Sequence, residues 1–180
     1  TVPTLATADI TVPYGVPNMP ALDANRTINK LIFFRTGASP FFVDINGKTF
    51  TVNGAITGTG TLTGSTTSNL TLGGTAGTLN FTQTSAATRS LNDLNMEATS
   101  VAKLGNDLDM YGAINFTAGG NLDLDGKHLT LKSNAANTAR ISDLTGSTLS
   151  GASNVTMERW IPMTNPGSGT GRRYQLLTPT

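Results

Sequence analysis

The chain has 180 residues, a formal net charge of +1 and no cysteine, and only 13% of its residues are charged. A nucleic-acid-binding protein typically carries a large excess of basic residues, which this chain does not have. No run of residues reaches the roughly 18 apolar residues of a membrane-spanning helix. We therefore predict neither nucleic-acid binding nor membrane insertion. The absence of cysteine excludes a disulfide framework. Because the chain begins at Thr1 with no hydrophobic signal segment, we expect a mature or excised piece of a longer protein.

The first predicted element is an N-terminal segment, residues 1–20, with prolines at positions 3, 13, 17 and 20. Proline donates no backbone hydrogen bond, and within sheets it is confined to edges and bulges. The sequence therefore predicts that residues 1–20 form a cap or edge at one end of the fold.

Apolar and polar residues then alternate with a period of two, which predicts short β-strands with one buried and one solvated side. The clearest runs are 27–33, 42–45, 69–72, 78–82, 108–110, 113–116, 121–124, 128–131 and 154–161. Turn signals such as Asn46-Gly47 and Asp125-Gly126 separate them. The segment 92–105 shows no single apolar stripe at helical spacing, so we predict no helix there.

The chain contains three pairs of short segments that resemble each other in sequence, and we call these segments restated lines. The pairs are "VDINGKTFTVNG" (43–54) with "LDLDGKHLTLKS" (122–133), "ANRTINKLIF" (24–33) with "ATRSLNDLNM" (87–96), and "NGAI" (53–56) with "YGAI" (111–114). A β-sandwich has no reason to restate its strands, whereas every coil of a solenoid meets the same environment. We therefore interpret the paired lines as equivalent faces of different coils, and keep an antiparallel sandwich as the alternative.

The predicted fold is all-β: a right-handed parallel β-helix (β-solenoid) with capping segments at both ends. The handedness follows from the sterics of parallel strand crossovers. The solenoid is expected over residues 21–156, with roughly six to seven irregular coils of about 20–25 residues. The alternation predicts a buried core of Ile45, Val52, Leu70, Leu72, Leu79, Phe81, Leu91, Leu94, Leu108, Ile114, Phe116, Leu122, Leu124, Leu129 and Leu131.

The last predicted element covers residues 157–180. A strand, the loop "NPGSGTG" and a second strand would form a capping hairpin or the start of a following domain. Trp160, Arg172, Arg173 and Tyr174 are our candidates for an aromatic and basic ligand-binding patch, for a glycan or a partner. The alternative is that Trp160 packs on the last coil as part of the cap.

Four acidic residues are weak candidates for calcium binding: Asp107, Asp109, Asp123 and Asp125. Carboxylate oxygens are ligands that calcium prefers, and paired carboxylates could also serve glycoside hydrolysis. Alternation alone places such acids on the solvated outer side of a strand, and this is our preferred interpretation. We predict no catalytic residue, no metal site and no cofactor.

Three other features have a structural interpretation and a functional one. His128, the only histidine, aligns with Thr49 on the polar side of its line and is predicted to face solvent. Arg26, Arg89 and Arg140 recur in similar lines; they could form a basic ladder, but we expect them to pair with nearby acids or carbonyl groups. The threonines of "TGTGTLTG" (57–64) would suit ice binding only if their spacing persisted from coil to coil.

Two stretches resemble a known group of proteins. The Gly- and Thr-rich stretch 54–96, and "TARISDLTGSTLSGASNVTMERWI" (138–161) followed by "GRRYQLLTPT" (171–180), resemble large secreted proteins of the Bacteroidota. The resemblance implies export by the type IX secretion system, through a sorting domain beyond residue 180. It also implies adhesive or gliding-related roles at the cell surface.

These observations together predict a structural or adhesive module of a large secreted or cell-surface bacterial protein, and not an enzyme. Its expected location is extracellular or on the outer cell surface. Its expected partners are adjoining domains of the same chain and the secretion or anchoring machinery, and polysaccharide is a further candidate. The alternative is a carbohydrate-binding or polysaccharide-degrading β-helix module.

Overall fold

A computed structural model describes residues 7–13, 18–34 and 41–160 of the chain. The described part is built from short strands, and its one helical element is a three-residue 3-10 helix, Ala152–Asn154. The strands in chain order are β1 (Asp9–Val12), β2 (Arg26–Ile28), β3 (Lys30–Phe33), β4 (Phe42–Asp44), β5 (Thr49–Val52), β6 (Ile56–Thr57), β7 (Thr61–Thr63), β8 (Asn69–Leu72), β9 (Thr75–Leu79), β10 (Ser90–Leu91), β11 (Asp93–Met96), β12 (Val101–Leu104), β13 (Leu108–Met110), β14 (Ala113–Phe116), β15 (Asn121–Asp123), β16 (Leu129–Leu131), β17 (Arg140–Ile141), β18 (Thr148–Ser150) and β19 (Val155–Met157).

The strands stack on three faces around one core. Face A is a six-stranded sheet in the order β2, β5, β8, β11, β14, β17. Face B contains β1, β3 and β6, which contacts β9, and then β12, β15 and β18. Face C contains β4 and β7, a bridge from Leu62 to Phe81, and then β10, β13, β16 and β19. The chain visits the faces in the order A, B, C, so that each visit to all three makes one level of the stack.

All the strand pairs between levels are parallel, which confirms the predicted β-solenoid. The step from one level to the next varies in length: Phe42 pairs with Thr61, 19 positions on, and Ile114 with Ile141, 27 positions on. The six strands of face A correspond to about five turns of the coil. The segment predicted not to be helical, 92–105, contains β11 and β12.

The predicted core is confirmed at every position but one. Fourteen of the fifteen residues are buried, and Phe116 is half-buried against the core. The alternation succeeds because a parallel coil buries every second residue on each face and exposes the next. Arg26 shows the limit of the pattern: it pairs in register with Phe50, a buried core position, at the first level of face A. Its guanidinium bonds to Asp23, and this hydrogen bond lowers the pKa of Asp23.

The restated lines do not lie on equivalent faces, and this corrects the interpretation from the sequence. The line beginning at Val43 turns from β4 on face C to β5 on face A, whereas the line beginning at Leu122 turns from β15 on face B to β16 on face C. The other two pairs of lines differ in the same way, each second copy lying one corner earlier in the A, B, C cycle. All three faces bury one side of an alternating strand, so one corner sequence fits any of the three corners.

The first pair of lines encodes a corner, by which we mean the turn from one face of the coil to the next. Asp44 Oδ1 accepts a hydrogen bond of 2.8 Å from the backbone N–H of Asn46, and Asp123 Oδ1 accepts one of 3.0 Å from that of Asp125. Asn46 and Asp125 have φ of 52° and 47°, and the glycines after them have φ of 69° and 74°. Two successive left-handed residues are the requirement of a type I′ turn, which explains the Asn-Gly and Asp-Gly sequences.

The other two pairs of lines form the same kind of contact between two neighbouring levels. The N–H of Gly54 donates to the carbonyl of Asn29 at 2.6 Å, and the N–H of Gly112 donates to the carbonyl of Asn92 at 2.8 Å. A Cβ on Gly54 would lie 3.0 Å from the Asn29 carbonyl oxygen, and one on Gly112 would lie 2.6 Å from that of Asn92. Glycine is therefore needed at both corners so that the levels can approach.

The N-terminal segment adds a level below the six. In the described part of residues 1–20, β1 pairs in parallel with β3 on face B. Ala21 bridges to Asp44 on face C, and the N–H of Asp44 donates to the carbonyl of Pro20 at 2.9 Å. The chain before β2 thus covers the first level on two of the three faces.

Candidate functional site

The four acidic candidates do not converge on one site. The carboxylate of Asp107 accepts a hydrogen bond of 3.0 Å from the backbone N–H of His128, and that of Asp125 pairs with Lys103 at 3.2 Å. Asp123 forms its corner bond to the N–H of Asp125, which lowers the pKa of Asp123, with a smaller contribution from the Ser150 hydroxyl. Within the part of the chain that the structure describes, no group of three or more His, Cys, Asp or Glu residues could hold a metal ion.

Asp109 departs from the prediction that these acids lie on the solvated outer side of their strands. Its side chain is 2% exposed, and its Oδ2 lies 3.1 Å from Nε of Arg89. It stands between the inward-pointing Leu108 and Met110, so its position in the strand is outward as predicted. It is buried because Arg89 reaches across from the level below, which the alternation within one strand cannot reveal.

The lysine of the next level extends this charged row on face C. Lys132 Nζ lies 2.7 Å from Oε1 of Glu158, and this hydrogen bond raises the pKa of Lys132, with a smaller contribution from the charge of Asp109. Arg89, Asp109, Lys132 and Glu158 thus alternate in sign along consecutive levels. Each cation lies beside an acid, so the row is compensated and offers no net charge to an anionic ligand.

The other residues weighed from the sequence have structural positions. His128 is exposed, as predicted. Arg26 and Arg89 pair with Asp23 and Asp109, as predicted, and the three arginines form no ladder because Arg26 and Arg140 lie at opposite ends of face A.

The glycines of "TGTGTLTG" allow neighbouring levels of the coil to pack closely. A Cβ on Gly58 would overlap the carbonyl of Phe33, one on Gly60 would overlap the ring of Phe33, and one on Gly64 would overlap the carbonyl of Ser90. Gly58 also has φ of 91°, a conformation that L-residues rarely adopt. The alternation of threonine and glycine thus reflects the close approach of neighbouring levels.

Face A carries an uncharged polar column on its outer side. Thr27, Thr51, Thr71, Asn95 and Asn115 are successive register partners along it. Nδ2 of Asn115 donates to Oδ1 of Asn95 at 2.9 Å, and Nδ2 of Asn95 donates to Oγ1 of Thr71 at 3.1 Å. These side chains bond to one another along the axis, which ties adjacent levels together.

The last level is where the apolar core meets solvent. One inward column runs through Leu91, Met110, Leu131 and Met157, whose exposed fractions are 0%, 0%, 2% and 59%. Three further inward residues of this level, Ile141 on β17, Leu149 on β18 and Val155 on β19, are half-buried, although their partners one level below are buried. We call these four residues of the last level, Ile141, Leu149, Val155 and Met157, the terminal surface.

Trp160 lies three positions after the end of β19 and is 48% exposed. Its backbone N–H donates to Oγ of Ser133 at 3.0 Å. The other members of the predicted patch, Arg172, Arg173 and Tyr174, lie outside the described residues, as does the predicted hairpin after Trp160. The terminal surface was not identified from the sequence. Its strands show the same alternation as the others, and only the stacking order reveals that no described strand follows them.

No helix in the described part of the chain has the length and apolar character needed to cross a membrane. Comparison with protein-family models, curated proteins and solved structures finds no match to this chain.

Proposed function

We propose that this chain is a structural module, a force-transmitting and adhesive stalk segment of a larger secreted or cell-surface bacterial protein. The observation behind the proposal is the parallel stack, in which one apolar core runs through the levels and the backbone ladder of face A is continuous from β2 to β17. Outward polar groups are bonded along the same axis, as between Asn95 and Asn115. Such a solenoid transmits load through nearest-neighbour interfaces along its whole length.

The extracellular setting rests on the resemblance of residues 54–96, 138–161 and 171–180 to type IX secretion substrates of the Bacteroidota. The chain has no cysteine, so strand ladders and glycine-mediated contacts between levels hold the fold in place of disulfides. Under this proposal the partners are the adjoining domains of the same protein and the secretion or anchoring machinery.

Force spectroscopy tests the mechanical role. The full chain is held by its two ends and extended at constant speed. If the levels peel one after another, each event releases about 20–27 residues, which corresponds to increments of roughly 65–90 Å of chain. Extension at low force without such increments would show that the stack does not bear load.

The alternative function, carbohydrate binding or polysaccharide degradation, is tested on the same protein. The full chain is run through native gels that contain neutral or acidic polysaccharides, and the released reducing ends are measured. We expect unchanged migration and no release. Retardation in one polysaccharide, or release of reducing ends, would favour the carbohydrate-active alternative.

A further inference from the structure

The chain has three pairs in which glycine follows asparagine or aspartate: Asn46-Gly47, Asn53-Gly54 and Asp125-Gly126. Such pairs are chemically labile, because the backbone nitrogen of a glycine is not shielded by a side chain and can attack the carbonyl carbon of the preceding side chain. The product of this attack is a five-membered succinimide ring. Asparagine is the more labile of the two residues, since its neutral amide is a better electrophile than an ionised carboxylate.

Contacts from two neighbouring levels hold the first pair. The N–H of Gly47 donates to Oγ of Ser68 at 3.0 Å, and Ser68 is fully buried. Nδ2 of Asn46 donates to the carbonyl of Leu22 at 2.9 Å. The nitrogen that would attack and the amide that would be lost are therefore bonded to different levels, and the reaction must await local opening of these contacts.

The second pair is also held by its neighbours. The N–H of Gly54 donates to the carbonyl of Asn29 at 2.6 Å, so this nitrogen is bonded to the level below. A Cβ on Gly54 would lie 3.0 Å from the same carbonyl oxygen, which shows how closely the two levels approach. Both labile asparagines are therefore followed by a glycine nitrogen that the stack restrains.

The third pair lacks such a restraint, although it forms the same type I′ turn as the first. In the part of the chain that the structure describes, the N–H of Gly126 has no hydrogen-bond partner, and a Cβ on Gly126 would meet nothing within 4 Å. Described levels flank this corner on both sides: Lys103 of the level below pairs with Asp125, and a Cβ on Gly151 of the level above would lie 3.6 Å from the backbone nitrogen of Asp125. The chain thus carries aspartate, the slower-reacting residue, at the labile corner whose glycine nitrogen is unrestrained.

We propose that Asp125 is the site at which isoaspartate forms in the folded chain, and that neighbouring levels protect Asn46 and Asn53 from the same reaction. The nitrogen of Gly126 bonds to Cγ of the protonated Asp125 carboxyl group, and the nitrogen's hydrogen leaves with the carboxyl hydroxyl as water. Water then opens the ring at either carbonyl, which returns aspartate or gives isoaspartate. Isoaspartate adds one methylene group to the main chain where Gly126 meets open space, so the stack should persist. This inference concerns a covalent modification and is independent of the mechanical role.

Incubation in water enriched in the heavy isotope of oxygen tests the proposal, because each ring opening incorporates one heavy oxygen that peptide mass spectrometry locates. The folded chain is compared with the same chain unfolded in guanidinium chloride. At Asn46 and Asn53 we expect incorporation to be roughly tenfold or more slower in the folded chain, since attack must await local opening. At Asp125 we expect similar rates in the two states, with isoaspartate found there by fragmentation. Equal slowing at all three positions, or no incorporation at Asp125 in the folded chain, would overturn the proposal.

A variant tests the protecting contact directly. Ser68→Ala removes the acceptor for the N–H of Gly47 and should raise the rate at Asn46 in the folded chain several-fold, while the rate at Asn53 stays unchanged. Ser90→Ala is the matched control, because Ser90 is a buried serine of the next level that bonds to the carbonyl of Ala86 instead. Circular dichroism verifies that both variants are folded. An equal rise at Asn46 in both variants would contradict the proposal, because general loss of stability would then explain the rate.

Discussion

Asp44 and Asp123 form the same hydrogen bond, each to the backbone N–H two residues further on, although they lie on different faces of the stack. The repeated sequence therefore specifies a corner and leaves its place in the coil open. The place is fixed by the lengths of the segments between corners. This explains why the spacing between restated lines is irregular while the fold is regular.

Comparison of two corner glycines separates the energetic cost of an unfavourable backbone conformation from the cost of a steric clash. Gly47 and Gly126 have φ of 69° and 74°, but a Cβ on Gly126 meets nothing within 4 Å, whereas one on Gly47 lies 2.9 Å from Oγ1 of Thr67. We expect Gly126→Ala to lower the free energy of unfolding by about 1–2 kcal/mol, the cost of a left-handed L-residue. Gly47→Ala should cost more, and Gly47→Ala with Thr67→Ala should recover the difference. Urea unfolding measures all three variants, and equal costs for the two glycines would contradict this account.

Asp143, which lies between β17 and β18, predicts acid sensitivity. The Thr145 hydroxyl and backbone N–H lower the pKa of Asp143 in the folded chain. A lowered folded pKa contributes stability that is present above the unfolded value of about 3.9 and is lost as the pH falls through the folded pKa. Asp143→Asn keeps an acceptor oxygen but removes the charge, so the parent should be the more stable at pH 7.

The difference in unfolding free energy between the parent and Asp143→Asn should then shrink as the pH falls below about 4. Urea unfolding at a series of pH values from about 2 to 7 measures this difference. A constant difference across that range would show that the ionised carboxylate of Asp143 contributes nothing to the stability of the fold.

The buried pair and an exposed pair should respond differently to loss of the cation. Arg89→Met leaves the carboxylate of Asp109, 2% exposed, without its partner, and we expect a loss of about 2–3 kcal/mol, less than for a fully buried pair because Arg89 is a third exposed. Lys103→Met removes the partner of the exposed Asp125 and should cost about 0–1 kcal/mol. Adding Asp109→Asn to Arg89→Met should restore part of the loss. Similar effects of Arg89→Met and Lys103→Met in urea unfolding would show that burial of Asp109 has no energetic consequence.

We expect opposite effects on the unfolding free energy when two buried serines, Ser90 and Ser100, are replaced by alanine. Ser100 Oγ is buried and has no hydrogen-bond partner in the described part of the chain, whereas Ser90 Oγ donates to the carbonyl of Ala86. Ser100→Ala should leave the unfolding free energy unchanged or raise it, because a buried hydroxyl without a partner is costly. Ser90→Ala should lower it by about 1 kcal/mol. Thermal unfolding of the two variants checks the contrast, and a loss at Ser100 as large as that at Ser90 would contradict it.

The strands and their buried side chains were predictable from the sequence because both depend on local alternation. Ile45, Leu70 and Leu129 follow the period of two and are buried. The parallel stack was predictable because restated lines have a physical reason in a solenoid. Phe116 is less buried than predicted, although Leu122 and Leu129 of the same level are buried. The local reason is that β17 pairs only with Ala113 and Ile114 and does not extend over Phe116.

The remaining features depend on which residues meet between levels. Asp109 is covered by Arg89, 20 positions away, and Gly60 is needed because of the Phe33 ring one level below. Neither contact has a signature within its own strand. The terminal surface is likewise defined by stacking order, so Met157 looks like any other inward residue in the sequence.

Deletion of one complete level tests the central claim, a stack of equivalent levels that acts as a structural module, most directly. Leu94 pairs with Ile114, 20 positions on, so removal of residues 93–112 takes out β11, β12 and β13 and joins Asn92 to Ala113 in the same register. Removal of residues 93–102 takes out half a level and is the control. The measurement is cooperative thermal unfolding followed by circular dichroism. The account predicts that the full-level deletion retains a cooperative β-sheet transition and that the half-level deletion loses it. Loss of the transition in both variants, or its retention in both, would contradict a fold built from interchangeable levels.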